Sequence, residues 1–282
     1  MRYYRSRSVE KCRGLYFLRQ DPAGHWSVVP AMVGRVEFER TFFFLPPGDK
    51  PAEFQASAGD SLEDRVFLEL AWASSAVQPF EIGARFDLVS LFRNLHSPIT
   101  KRTYQRFAAS SSQRLAILGL KGLVLDGDTG ILTRIEQGDP LLQAPGGREI
   151  LDYIRFYYSN PDPAGVRILG RLAANSTHRE LKVAAACALA RLHTQAALPY
   201  LAEMLESRDI TLKTYGVGGL AMFANNIPNG SHHPAPGEWR YRTEETMAHS
   251  AMDEGIIAQN EAHYVGFWRD WWKEHQAELA TP

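Results

Sequence analysis

Cysteine is nearly absent: Cys12 and Cys187 are the two in 282 residues. So far apart in sequence, they suggest neither a disulfide framework nor a zinc cluster. Cys187 stands in an apolar helical run, where it reads as a small buried hydrophobe. An excess of either charge is also lacking, with 31 Lys plus Arg against 32 Asp plus Glu. Such a balance creates no overall field to steer nucleic acid or an anionic membrane surface to the protein. No apolar stretch approaches the ~18–20 residues of a membrane span, so the chain reads as soluble. Its start, with Arg2, Arg5, Arg7, Lys11 and Arg13 around a very short apolar patch, has no small-residue cleavage site and reads as a solvated terminus rather than a signal peptide. The location expected of the chain as given is cytoplasmic.

Catalytic motifs are missing as well. No Gly-x-Ser-x-Gly elbow, Walker loop or His-Glu-x-x-His occurs, which removes the common hydrolase, nucleotide-binding and zinc-protease readings. Gly216-x-Gly218-Gly219 follows helix-like sequence and not a strand, so it is no dinucleotide loop. Asp126-Gly127-Asp128 fails as a calcium loop, because Ile131 stands where the sharp turn needs Gly and Gln137 where a bidentate carboxylate is needed. His232 and His233 are adjacent and project apart, and His249, His263 and His275 form no helical pair with a carboxylate base; all five read as surface histidines. No catalytic residue, metal or cofactor is expected.

What is present is ordinary globular composition, 45% hydrophobic and 22% charged, in a chain long enough to bury a sizeable core. Residues 1–50 read as a short β segment. Leu15 to Leu18 and Trp26 to Val29 flank Asp21-Pro22-Ala23-Gly24, a type I turn signal, and Val36 and Phe38 alternate with Arg35, Glu37 and Glu39 until Pro46-Pro47-Gly48. From Ser61 the period changes from two to 3.6. Helix-start signals recur at Ser61, Ser97-Pro98, Ser110-x-x-Gln113, Asp162-Pro163 and Thr177-x-x-Glu180. Short polar breaks between them imply antiparallel helical neighbours.

An internal repeat carries most information. Ala116-x-x-Gly119-Leu120-x-x-Leu123, Gly165-x-x-Ile168-Leu169-x-x-Leu172, Ala185-x-x-Ala188-Leu189-x-x-Leu192 and Gly216-x-x-Gly219-Leu220-x-x-Phe223 share one spacing. Offsets of 0, 3, 4 and 7 lie on one helical face, where small residues admit a neighbouring helix and large ones fill the groove beyond. Gly216, Gly218 and Gly219 should weaken the last of these helices. Gly165 comes only 20 residues before Ala185, which makes that copy the other helix of a hairpin.

Arg179 to Leu192, ending Ala-Leu-Ala-Arg-Leu, followed by Ala196-Ala-Leu-Pro-Tyr-Leu-Ala-Glu-Met-Leu205, resembles a HEAT repeat. The resemblance extends over 97–226 and implies a mainly α fold: an α-solenoid of HEAT-like helical hairpins over 51–282, preceded by the N-terminal β-hairpin segment. Glu10 to Asp21 with Gly24-His-Trp is similar to later strands of small β-barrels that precede such repeats in bacterial proteins. The earlier strands of that pattern are absent, so either the true start lies upstream, which would place the protein outside the cytoplasm, or the barrel is not formed.

Residues 224–242, with Pro228, Asn229-Gly230, Pro234, Pro236 and Gly237, read as a long loop across the array. A capping helix follows over 259–280, where Phe267, Trp268, Trp271 and Trp272 form an aromatic stripe that seals the stack. In the loop, Trp239, Arg240 and Tyr241, with His232 and His233, are the candidate partner-binding residues, since aromatic and Arg side chains dominate interface energies. The resemblance implies a non-catalytic scaffold whose partner is a protein or peptide, held on the concave face or on this loop. Two alternatives stand beside it: a DNA-binding enzyme of the HEAT-like glycosylase type, against which the neutral charge argues, and a structural domain of a longer secreted protein. Asn175-Ser-Thr and Asn229-Gly-Ser also match glycosylation acceptors.

Overall fold

Strand ladders near the amino terminus and helices thereafter follow the change of period. The structure is a computed structural model, and it describes residues 14–16, 18–20, 22–23, 26–28, 31–33, 36–38, 42–44, 50–62, 64–65, 68–69, 72, 98–143, 146–226 and 254–279. It is mainly helical and divides into two compact units, Met1–Ser110 and Ser111–Pro282. Among the described residues, no helix is long and apolar enough to cross a membrane.

In the first unit, β1 (Gly14–Tyr16) pairs with β6 (Phe42–Phe44), β2 (Leu18–Gln20) with β3 (Trp26–Val28) and β4 (Ala31–Val33) with β5 (Val36–Phe38), all antiparallel. Gln20 faces Trp26 across the turn that holds Pro22 and Ala23. These are three separate two-stranded ladders, and an N-terminal β domain is not seen among the described residues. Such pairs are too small to hold a sheet core of their own. Ser61 makes the expected helix start. Its amide and hydroxyl donate to the Asp64 carboxylate at 3.1 and 3.0 Å while the Asp64 amide donates back to its hydroxyl at 3.1 Å, a reciprocal cap built on Asp. Thr103 of α1 (Pro98–Ala108) donates to the same carboxylate at 2.9 Å, and Phe107 meets Phe54 edge to face at 6.3 Å.

The second unit is an alternating array. Its helices are α2 (Gln113–Leu125), α3 (Thr129–Glu136), α4 (Gly147–Tyr157), α5 (Pro163–Asn175), α6 (Arg179–Arg191), α7 (Leu198–Met204), α8 (Ile210–Ala224), α9 (Glu254–Gln259) and α10 (Glu261–Leu279). Each of α2, α4, α6 and α8 packs on the next of that set, while α3 packs on α5 and α7 on α10, so successive helices fall in two rows. Between the rows, α5 meets α6, and α8 meets α7 and α10. The four repeated motifs lie on α2, α5, α6 and α8. Ala116, Gly119, Leu120, Leu123, Gly165, Ile168, Leu169, Leu172, Ala185, Ala188, Leu189, Gly216, Gly219 and Leu220 are buried, with Leu192 and Phe223 half-buried.

Two expected capping boxes are displaced. Helix α2 starts after Ser112, not Ser110, and α6 is preceded by His178, whose amide donates to the Ser176 hydroxyl at 3.1 Å. The hydroxyl that turns the chain precedes the Thr177-x-x-Glu180 signal, because Ser and Thr compete for local amides at adjacent positions. Helix α8 runs through its three glycines for 15 residues. A Cβ at position 216 would lie 2.7 Å from the Leu201 carbonyl oxygen, and one at 219 would lie 3.0 Å from Ala190 Cα. Packing against α6 and α7 therefore outweighs the poor helix propensity of Gly, which costs about 1 kcal/mol per residue. In α10, which packs on α7 and α8, Trp268 and Trp271 are buried and meet edge to face at 5.5 Å.

Ion pairs tie elements that are not adjacent in sequence. Arg171 on α5 grips Glu136 on α3 at 2.5 and 2.7 Å, Arg269 on α10 grips Glu206 after α7, and Lys213 on α8 pairs with Glu261. Asp209 caps α8 by accepting from the Thr211 amide at 3.0 Å and also takes Arg179 of α6 at 2.9 Å. Partial burial raises the Asp209 pKa, but the Arg179 hydrogen bond and the Thr211 amide outweigh it and hold the carboxyl below its ordinary 3.8.

Two stability measurements follow from this packing. By denaturant midpoint, Gly216→Ala destabilises by about 1–3 kcal/mol through overpacking, whereas Gly266→Ala in α10, where an added Cβ meets nothing within 4 Å, stabilises by about 0.5–1 kcal/mol. Equal effects would show that propensity and not packing governs α8. Asp209→Ala costs about 0.5–2 kcal/mol at neutral pH. Because a depressed folded-state pKa gives stability that is present above the unfolded value and lost as pH falls through the folded one, the difference from wild type shrinks below about pH 3.8; a constant difference down to acid pH would refute the charged cap.

Candidate functional site

The residues singled out for partner binding, His232, His233, Trp239, Arg240 and Tyr241, lie outside the described residues, as does the span 227–253 around them. His249 lies there too. His263 is exposed, and His275 is half-buried, stacked at 4.7 Å on Trp271, its Nδ1 2.7 Å from the Trp271 carbonyl oxygen. Both lie in α10. No group of three or more His, Cys, Asp or Glu that could hold a metal occurs among the described residues.

Asp126-Gly127-Asp128 is a helix-to-helix turn. Asp128 accepts from the Gly130 amide at 2.8 Å to cap α3, and Gly127 adopts φ +67, a backbone geometry that favours glycine. The Asn160 side chain donates to the Gly127 carbonyl at 2.8 Å and fixes the turn against the loop before α5.

Two clusters come from residues far apart in sequence. The first joins α4, α6 and α8. Arg155 donates to the Tyr215 hydroxyl at 2.7 Å and Arg191 donates to the Arg155 carbonyl at 2.9 Å, with the buried Cys187 thiol on α6. Burial pushes the Cys187 thiol up, and it pushes Tyr215 up to about 12. A thiolate nucleophile needs a lowered pKa; here desolvation prevails over the Arg155 and Arg191 charges. The cluster is thus a polar tie across three parallel-row helices, with a thiol of low reactivity.

The second is an open groove of about 290 Å³ between α5 and α7. Its apolar wall is Ala173, Met204 and Leu212, and Asn175, Lys182, Tyr200 and Glu203 line its polar side. Gly170 lets the Tyr200 ring pack against α5, for a Cβ there would sit 2.3 Å from Tyr200 Cδ1. Lys182 donates to the Ala174 carbonyl at 3.0 Å and so caps the end of α5. The Glu203 side chain has no hydrogen bond or ion pair among the described residues, whereas Glu206 beside it is held by Arg269. No local motif could have pointed to this groove, because its walls come from residues 170 to 212 on four helices.

With Cys12 replaced by Ser, the Cys187 thiol should react with Ellman's reagent at about pH 8 at least ~100-fold more slowly in native buffer than in denaturant, since exposure then requires unfolding. A native rate equal to the denatured one would rule out the buried placement.

No family model matches the chain, and no curated protein and no solved structure matches it.

Proposed function

We propose that the second unit is a HEAT-like α-solenoid and that the chain is a non-catalytic scaffold for a protein or peptide partner. The alternation of helices between two rows is the observation that carries the reading. Each of α2, α4, α6 and α8 packs on the next of that set, and an array of this kind offers extended surfaces for a partner. The buried small/apolar motif on α2, α5, α6 and α8 gives further support, as it is the pattern that made the sequence similar to HEAT repeats.

Contact with the partner is assigned to the concave face or to the 224–242 loop, with Trp239, Arg240 and Tyr241 as anchors. Nucleic acid is the less favoured ligand, given a formal net charge of −1.

Panning a phage-displayed random peptide library against the full chain tests the scaffold reading. Enriched peptides should bind the wild type, and a Trp239→Ala, Arg240→Ala double variant with an unchanged melting curve should lose at least about tenfold in affinity, as expected of interface anchors. Failure to enrich any binder, together with tight duplex-DNA binding that falls steeply with salt, would replace the scaffold with the nucleic-acid enzyme.

A further inference from the structure

The groove between α5 and α7 has a built polarity. The carbonyl end of α5, a helix of 13 residues, opens on it at Ala173, Ala174 and Asn175, and a helix carboxyl end carries about half a negative charge. Lys182 answers one carbonyl of that end, Ala174. Glu206 at the far side is neutralised by Arg269 through two hydrogen bonds at 2.6 and 3.1 Å. Glu203 is left: its side chain is exposed at the groove, one helical turn from Tyr200 on α7, with no cation against it among the described residues. Beneath it, Ala173, Met204 and Leu212 are 2%, 6% and 6% exposed and form a nearly closed apolar wall. The groove thus pairs an apolar wall with an unanswered carboxylate and a helix carboxyl end.

That combination fits one kind of side chain. Arginine and lysine lay an apolar stem along a hydrophobic surface while the charged head stays at its polar edge. We propose that the α5/α7 groove receives an arginine or lysine side chain of a partner peptide, with its stem against Ala173, Met204 and Leu212 and its head at Glu203. The assignment rests on the scaffold reading above and adds to it a contact in the groove between α5 and α7, together with the chemistry of the partner. An anionic group is disfavoured there, because Lys182, the one cation lining the groove among the described residues, is held by the Ala174 carbonyl. Tyr200, seated on Gly170, stands beside the opening and can stack with a guanidinium.

Fluorescence anisotropy with labelled peptide pools tests this on the full chain. One pool carries a fixed arginine, one a fixed lysine and one a fixed norleucine, the flanking positions being randomised. The two basic pools should bind more tightly than the norleucine pool. Glu203→Gln, a nearly isosteric change at an exposed position, should weaken the basic pools by about three- to fivefold, in line with a solvent-accessible charge pair, and leave the norleucine pool unchanged. Glu203→Lys should weaken them further, while Glu180→Gln on exposed α6 surface should have no effect. If peptides bind with no preference for a basic residue, or bind Glu203→Gln as tightly as wild type, the groove is not their site although the scaffold survives. Should no pool bind at all, the groove and the scaffold reading fall together.

Discussion

Close approach between helix backbones is the constraint on which the second unit depends. At Gly216 the axis of α8 comes so near α7 that a single added carbon would meet the Leu201 carbonyl oxygen, and at Gly219 the same helix lies against Ala190 of α6 and the Leu201 side chain. The alanines of α6, buried from Ala184 to Ala190, extend this arrangement to the neighbouring helix. Small residues remove the side-chain layer that usually holds helices 8–10 Å apart, so backbones and large residues such as Leu189 and Leu220 pack without voids. Row order follows: a helix that fits this tightly on two neighbours cannot slide along either.

Electrostatics work at the edges of this core. Arg171 with Glu136, Arg179 with Asp209, and Arg269 with Glu206 each join elements that are not adjacent in sequence. As exposed pairs they add little energy singly, but each lies where a sliding helix would break it, so they favour one register over its neighbours. Asp209 combines this with capping, since one carboxylate serves the first turn of α8 and the guanidinium of α6. Polar groups inside the array are similarly spent on structure. Arg155, Arg191 and Tyr215 tie three helices together, while the exposed Glu203 faces the groove with no ionic partner among the described residues.

Legibility differed between elements for physical reasons. The apolar period of 3.6 made α2, α5, α6 and α8 readable, because burial of one stripe is encoded within a single helix. Asp162-Pro163 and Ser61 marked helix starts where Pro or a reciprocal cap fixes the first turn, whereas Ser110 and Thr177 misplaced them by a residue or two, since Ser112 and His178 precede the first turns. The glycines of α8 suggested weakness; only the neighbouring helices reveal that they are contact surface. The aromatic spacing from Phe267 to Trp272 fell on a helix, and Trp268 and Trp271 are its buried side. The β segment was less informative, because three-residue ladders have too few cross-strand pairs to form a sheet core.

By itself, the sequence determined that the chain is mainly helical, that helices begin at Ser61, Pro98 and Asp162, which stripe of α2, α5, α6 and α8 is apolar, and that no familiar catalytic or metal motif is carried. These are local properties, set by periodicity and side-chain chemistry within about a dozen residues. Tertiary structure alone decided that the helices alternate between two rows, that Gly170, Gly216 and Gly219 are points of contact, and that Lys182, Tyr200 and Glu203 share one groove. Those residues lie on different helices, and what brings them together is the mutual burial of stripes whose partners no local pattern specifies.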